Sequence, residues 1–141
     1  MDRTIKFRAK RIDNNKWAYG GLIQADDYCI IDQGNELYVE RDYNFRGDTH
    51  FFQLSGVMCD EKTVGQFTGL LDKNGNEIYE GDIIKGFDII IEVWYSEDTA
   101  CFMAEMKEPQ NDMVDILGGY DTARMEIIGN IYDHPQLIKE E

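Results

Sequence analysis

The 141-residue sequence holds only two prolines, two histidines and three cysteines. No apolar run approaches the ~18 residues that a membrane-crossing helix needs, so an integral membrane protein of helical type is excluded. The opening MDRTIKFRAK has no apolar core segment, so no secretory leader is expected. Cys29, Cys59 and Cys101 are odd in number and far apart, which fits reduced thiols of the cytoplasm and not a disulfide framework. His50 and His134 have no Cys, His or carboxylate at ligand spacing, so no metal and no cofactor is expected. Neither a phosphate loop nor a nucleophile elbow is present.

Basic residues are also scarce, and unevenly placed. The formal net charge is −14. Residues 1–20 carry six basic and two acidic side chains, whereas the rest carry eight basic and 26 acidic ones. The acidic body repels nucleic acid and anionic membranes, while the first strand could attract them. An acidic surface that simply keeps the chain soluble, with the basic strand packed beside acidic neighbours, accounts for the same numbers.

What the chain has in abundance is glycine (13) and aromatic residues (12%), which favour short strands and tight turns over long helices. Residues 4–10 alternate: Ile5, Phe7 and Ala9 point inward, and Thr4, Lys6, Arg8 and Lys10 form a basic outer face. Asp13 to Lys16 is a turn and Trp17-Ala18-Tyr19 the return strand, with a bend at Gly20-Gly21. Further strands are expected at Tyr28–Ile31 and Leu37–Val39. Glu40–Ser55 reads as irregular, a surface loop until Phe51-Phe52 returns to the core. From Thr63 the pattern sharpens: strand to Leu71, hairpin turn at Asp72-Lys73-Asn74-Gly75, return strand Glu77–Tyr79, turn at Glu80-Gly81-Asp82. Ile83-Ile84, Ile89–Tyr95, Thr99–Met106 and Met125–Tyr132 are the remaining strands. Residues 107–123 read mainly as loop, with one helical turn near Met113–Leu117, and Gln136–Glu141 as a helical turn or tail. The fold class is mainly β, a small antiparallel barrel or roll, divided into an N-terminal β lobe (residues 1–62) and a C-terminal half (63–141).

The run Thr63-Val64-Gly65-Gln66-Phe67-Thr68-Gly69-Leu70, then Asp72-Lys73-Asn74-Gly75, then Ile78-Tyr79-Glu80-Gly81-Asp82-Ile83-Ile84 resembles the YopX family of phage and prophage proteins. Ile5-Lys6-Phe7-Arg8-Ala9 with Trp17-Ala18-Tyr19-Gly20 matches its opening. Ile127-Ile128-Gly129-Asn130-Ile131-Tyr132, followed by His134-Pro135, matches its close. Residues 24–60 and 107–123 match poorly. The resemblance implies phage origin, hence the cytoplasm of a bacterial host, and an SH3-type barrel or roll in the C-terminal half. It implies no catalytic activity and transfers no catalytic residue.

Gly65, Gly69, Asn74, Gly75, Gly81, Asp82, Gly129 and Asn130 are read as residues that shape the backbone. Asp72, Asn74 and Asn76 share the first spacings of a calcium loop, but Glu77 and Ile83 stand where Gly and a bidentate Glu are required, so a hairpin turn is expected. Glu80 and Asp82 could share a proton or a cation as a hydrolytic pair; a turn hydrogen-bonded through Asp82 is preferred. Acidic Asp60 and Glu61 beside Cys59 blunt that thiol. The functional expectation is a non-enzymatic module that binds a protein partner of unspecified identity, or a second copy of itself through open edges. Two alternatives follow from charge: a nucleic-acid-binding regulator using Lys6, Arg8, Lys10, Arg11 and Trp17, or an acidic mimic that occupies a host DNA-binding protein.

Overall fold

Alternating segments of this kind pair readily once turns bring them together, and they do so in a computed structural model of the protein. The structure describes residues 3–34, 38–45, 48–109 and 113–138, with backbone alone for 38–45 and 48–55. The chain forms two compact units, Lys6–Val64, and Gly65–Glu141 together with Met1–Ile5.

In the N-terminal unit, β1 (Phe7–Lys10), β2 (Trp17–Ala25), β3 (Tyr28–Asp32) and β6 (Val57–Met58) lie antiparallel in the order β6-β3-β2-β1. β2 serves two partners in turn: residues to Gly20 pair with β1, and those from Gly21 pair with β3. The change of partner needs a residue without a side chain, since a Cβ on Gly20 would lie 1.9 Å from the Asp32 carbonyl oxygen. Beyond β6 the chain turns back to the first strand, where Ile12 N–H donates to Met58 O (3.0 Å) and Asp60 N–H to Lys10 O (2.8 Å). The small core inside this wrap is Ala9, Ala18, Cys29, Ile31, Val57 and Cys59.

The stretch expected to be irregular is a regular hairpin. β4 (Tyr38–Phe45) and β5 (Asp48–Ser55) pair from Tyr38↔Ser55 to Phe45↔Asp48. Its polar residues, read as loop signals, are compatible with a two-stranded ribbon, because side chains on a strand alternate whatever their polarity. The expected burial of Phe51-Phe52 lies outside the described side chains.

In the C-terminal unit β7 (Gly65–Leu71) folds back on β8 (Glu77–Tyr79) through the Asp72–Gly75 turn, and Gly75 takes φ +80° there. A five-stranded antiparallel sheet follows in the order β12-β11-β10-β9-β13: β9 Asp82–Gly86, β10 Ile89–Ser96, β11 Cys101–Glu108, β12 Val114–Ile116 and β13 Glu126–Asn130. Its core is Ile78, Ile84, Ile91, Val93, Ala104, Leu117 and Met125, all fully or nearly fully buried. Each buried aliphatic side chain contributes about 1.5–3 kcal/mol relative to exposure. The mainly β expectation holds, but the strands stay as open antiparallel sheets with no closed barrel. The helical turn foreseen near Met113–Leu117 is instead the short strand β12 followed by 3-10 turns at Leu117–Gly119 and Thr122–Arg124. Pairing with β11 wins there over local preference.

Candidate functional site

The signature residues direct their polar atoms at the protein's own backbone. The Asp72 carboxylate accepts N–H groups of Asn74 and Asn76 at 2.9 Å each, and of Ile127 at 3.1 Å. It thereby ties the β7–β8 turn to β13. Burial alone would raise its pKa; the N–H groups of Ile127, Asn76 and Asn74 outweigh burial and hold it below the usual carboxylate range. The fully buried Asp82 accepts Tyr79 N–H at 2.8 Å, and Glu80 accepts Gln66 N–H at 2.9 Å. The two carboxylates brace turns as the Asp82 reading expected. Asn130 Oδ1 accepts the Tyr132 and Asp133 N–H groups (3.0 and 2.9 Å), and His134 Nδ1 accepts Asn130 N–H at 3.3 Å. Gly65 leaves room for the Glu80 carbonyl, which a Cβ would approach to 2.8 Å, and Gly129 for the His134 ring. Gly69 and Gly81 take φ +89° and +92°. The side chain of His50 lies outside the described residues.

The basic strand differs from its expected form. Ile5, assigned to the inner face, is 55% exposed, while Arg8, assigned to the outer face, is only 5% exposed. The Arg8 guanidinium stacks 4.4 Å from the Trp17 ring centroid, and Lys10 Nζ lies 5.5 Å from it. Stacking on an aromatic face desolvates Arg at low cost, which is why a basic residue is tolerated there. Arg11 grips the Asp13 carboxylate with Nε and Nη2 at 2.9 and 2.7 Å. Lys6 is half-buried.

A cleft that the sequence reading missed opens in the N-terminal unit. It encloses about 470 Å³ where the Arg11–Asn15 turn, the Asp26-Asp27 turn and the Met58–Glu61 segment come together. Its rim carries Asp26, Asp27, Asp60 and Glu61, its sides include Ile12, Tyr28 and Met58, and the buried Cys29 and Cys59 also line it. The two cysteines sit opposite each other, Cys59 N–H donating to Cys29 O at 2.9 Å, and both are free thiols. Burial, then Glu61 and Asp60, push the Cys29 thiol up. Burial, then Cys29, push Cys59 up to about 11. Burial, not the acidic neighbours read from sequence, is the main cause, and neither thiol is a ready nucleophile. The acidic doublets Asp26-Asp27 and Asp60-Glu61 were the available signal, but only the strand pairing brings both to the lining of one cleft.

On the C-terminal sheet, β12 is an edge strand with all three residues exposed. Behind it, Lys107 bridges Glu105 (3.0 Å) and Glu92 (3.6 Å). Among the described residues no three His, Cys, Asp or Glu side chains gather to hold a metal, and no helix is long and apolar enough to cross a membrane.

Open antiparallel sheets and turns braced by carboxylates define a small all-β fold. The model of the YopX protein family matches residues 6–139, and the chain belongs to that family. A solved structure, protein EF1440 from Enterococcus faecalis, resembles it with a TM-score of 0.54 at 24% identity, covering 98% of this chain and 100% of the other. That likeness concerns the fold. A search of curated proteins finds no match.

Proposed function

We propose that the chain is a phage- or prophage-encoded, non-enzymatic protein-interaction module of the bacterial cytoplasm, and that a partner protein docks an extended segment on the open edge of β12. The β12 edge carries this reading. Met106 N–H donates to Met113 O, so the alternation of an antiparallel ladder turns the backbone groups of Val114 and Ile116 outward. Their side chains share one face and are 44% and 53% exposed. An edge of this kind accepts an added strand, main-chain bonds giving affinity and side chains giving selectivity. The Ile116 N–H already bonds to the Asp115 carboxylate (2.8 Å), so Val114 N–H is the donor left to the edge. A net charge of −14 opposes pairing with a second copy and favours a neutral or basic partner strand. The engagement of Arg8, Lys10 and Arg11 within the N-terminal unit supports a protein partner over nucleic acid.

Val114→Pro removes the edge donor without touching the bonds to β11. A tagged wild-type chain expressed in its host is expected to retain a protein that the Val114→Pro chain loses at unchanged urea midpoint. Identical capture by both chains, or sedimentation as a stable dimer that Val114→Pro dissociates, would refute docking of a partner on β12.

A further inference from the structure

We propose that Cys29 and Cys59 close a reversible disulfide, a redox-operated clasp that locks the segment after β6 onto β3. Both cysteines lie in the unit Lys6–Val64, so the inference stands apart from the β12 reading. Register carries it. β3 and β6 pair as Ile30↔Met58 and Ile31↔Val57, so the next rung of the same ladder sets Cys29 opposite Cys59. The Cys59 N–H bond to Cys29 O (2.9 Å) continues the ladder to that rung. Residues opposed at a hydrogen-bonded rung of an antiparallel pair have Cα atoms about 5.5 Å apart. That lies inside the window of about 4.4–6.8 Å from which a disulfide closes without moving the backbone. Opposed side chains leave a sheet on one face, and both thiols enter the same small core, beside Ile31 and Val57. Each residue is 3% exposed.

The position of the rung gives the bond its effect. β6 has only two residues, and beyond it the chain is tied back by Asp60 N–H to Lys10 O (2.8 Å), by Ile12 N–H to Met58 O (3.0 Å) and by the bridge between Arg11 and Cys59. Cys59 therefore stands where β3, the returning segment and the end of the first strand meet. A covalent bond there fixes both ends of the excursion that carries the β4–β5 hairpin. Closing a loop of about 30 residues removes much of the freedom of the unfolded chain. Little opposes closure from the reduced side, since the Cys59 thiol donates a long, weak bond to Val57 O (3.5 Å).

The oxidant is a low-molecular-weight disulfide, RSSR. A local opening of the segment after β6 exposes one thiol. Its thiolate attacks a sulfur of RSSR, forms a protein–SR bond and expels RS⁻, which takes up the proton that the thiol released. The second thiolate attacks the protein sulfur of this mixed disulfide and expels the second RS⁻, which is protonated in the same way. Two cysteine thiols are thereby oxidised by two electrons, and RSSR is reduced to two RSH. Burial, which raises both thiols, keeps thiolate scarce, so the clasp follows a sustained change of redox poise and not a brief one. In reducing surroundings the pair rests as two thiols.

The test uses the full chain carrying Cys101→Ser, which removes the third thiol. It is incubated at pH 8 in glutathione buffers from fully reduced to fully oxidised until its composition is constant, then acid-quenched, alkylated and mapped by mass spectrometry. A Cys29–Cys59 cross-link within the monomer is expected in place of glutathione adducts, and dithiothreitol reverses it. The cross-linked chain is expected to unfold at a urea midpoint higher by roughly 1–2 M. Chains that also carry Cys29→Ser or Cys59→Ser are expected to show no such rise. Stable glutathione adducts on both cysteines, cross-links between chains, no oxidation in oxidised glutathione, or a cross-linked chain with an unchanged or lower midpoint would overturn the proposal. The Val114→Pro chain is expected to cross-link equally, so the two readings fail separately.

Discussion

Replacing Asp72 tests most directly the idea that the signature side chains support the backbone. Asp72→Ala removes the acceptor of three N–H groups at once. The Asn74 and Asn76 donors sit in an exposed turn where water can replace the carboxylate, a net loss of about 0.5–1.5 kcal/mol per bond. The Ile127 donor is partly buried, and leaving it without an acceptor costs about 1–3 kcal/mol. Together these amount to about 2–6 kcal/mol, or a fall of roughly 1–3 M in the urea midpoint for a slope near 2 kcal/mol/M. Tryptophan fluorescence reads the transition, with Trp94 in the unit that contains Asp72 and Trp17 in the other. Asp72→Asn keeps one oxygen for the turn but presents an NH₂ group to the Ile127 N–H, so it is expected to lose much of the same stability. The pH dependence follows from sign. Because the folded pKa of Asp72 is depressed, its contribution is complete above the ordinary carboxylate value of about 3.9 and disappears as pH falls through the lower folded value. The wild-type and Asp72→Asn midpoints therefore converge below about pH 4. An Asp72→Ala chain within about 0.5 kcal/mol of wild type, the usual range for a surface change, would refute the reasoning.

Gly65→Ala forces a Cβ to 2.8 Å from the Glu80 carbonyl and is expected to cost about 1–3 kcal/mol, measured by the same urea titration. Ile91→Ala empties a fully buried position at the centre of the C-terminal core, so a loss of about 2–5 kcal/mol is expected; a smaller loss would mean that the neighbours collapse into the space. Of the three cysteines only Cys101 is partly exposed, so a thiol reagent at pH 8 is expected to modify Cys101 quickly and Cys29 and Cys59 only on unfolding, as read by peptide mass mapping. Rapid modification of Cys59 would contradict a thiol raised to about 11.

The C-terminal unit was legible because its information is local. Asn74-Gly75 dictates a turn through backbone preference, and the alternation of Ile89, Ile91 and Val93 against Phe102 and Ala104 dictates which face is inside, although Ala100, read into the same strand, lies in the exposed turn before it. The β4–β5 hairpin was missed because its polar residues mimic loop composition, and β12 because three residues carry too little periodicity to register. Arg8 was misplaced for a different reason. Alternation assigns a residue to the face opposite Ala9, but it does not say whether that face is covered, and Trp17 comes to Arg8 only through the register Lys10↔Trp17. The cleft was illegible on the same ground, since Asp26-Asp27 and Asp60-Glu61 come to line one opening only after β3 pairs with β6 and the chain returns to Lys10.

The division of labour along the chain has a consequence for the family. The blocks that carry the resemblance contain Asp72, Glu80, Asp82 and Asn130, and each spends its side chain on backbone N–H groups. Such groups specify a frame. β12 and most of the cleft, including Asp26, Asp27, Tyr28, Met58 and Asp60, lie instead in residues 24–60 and 107–123, outside the motif blocks from which the resemblance was read. A frame held by side-chain-to-backbone bonds tolerates new residues on an edge strand or a turn, because those residues bear none of its bonds. Members that share the frame are therefore expected to differ in what they bind.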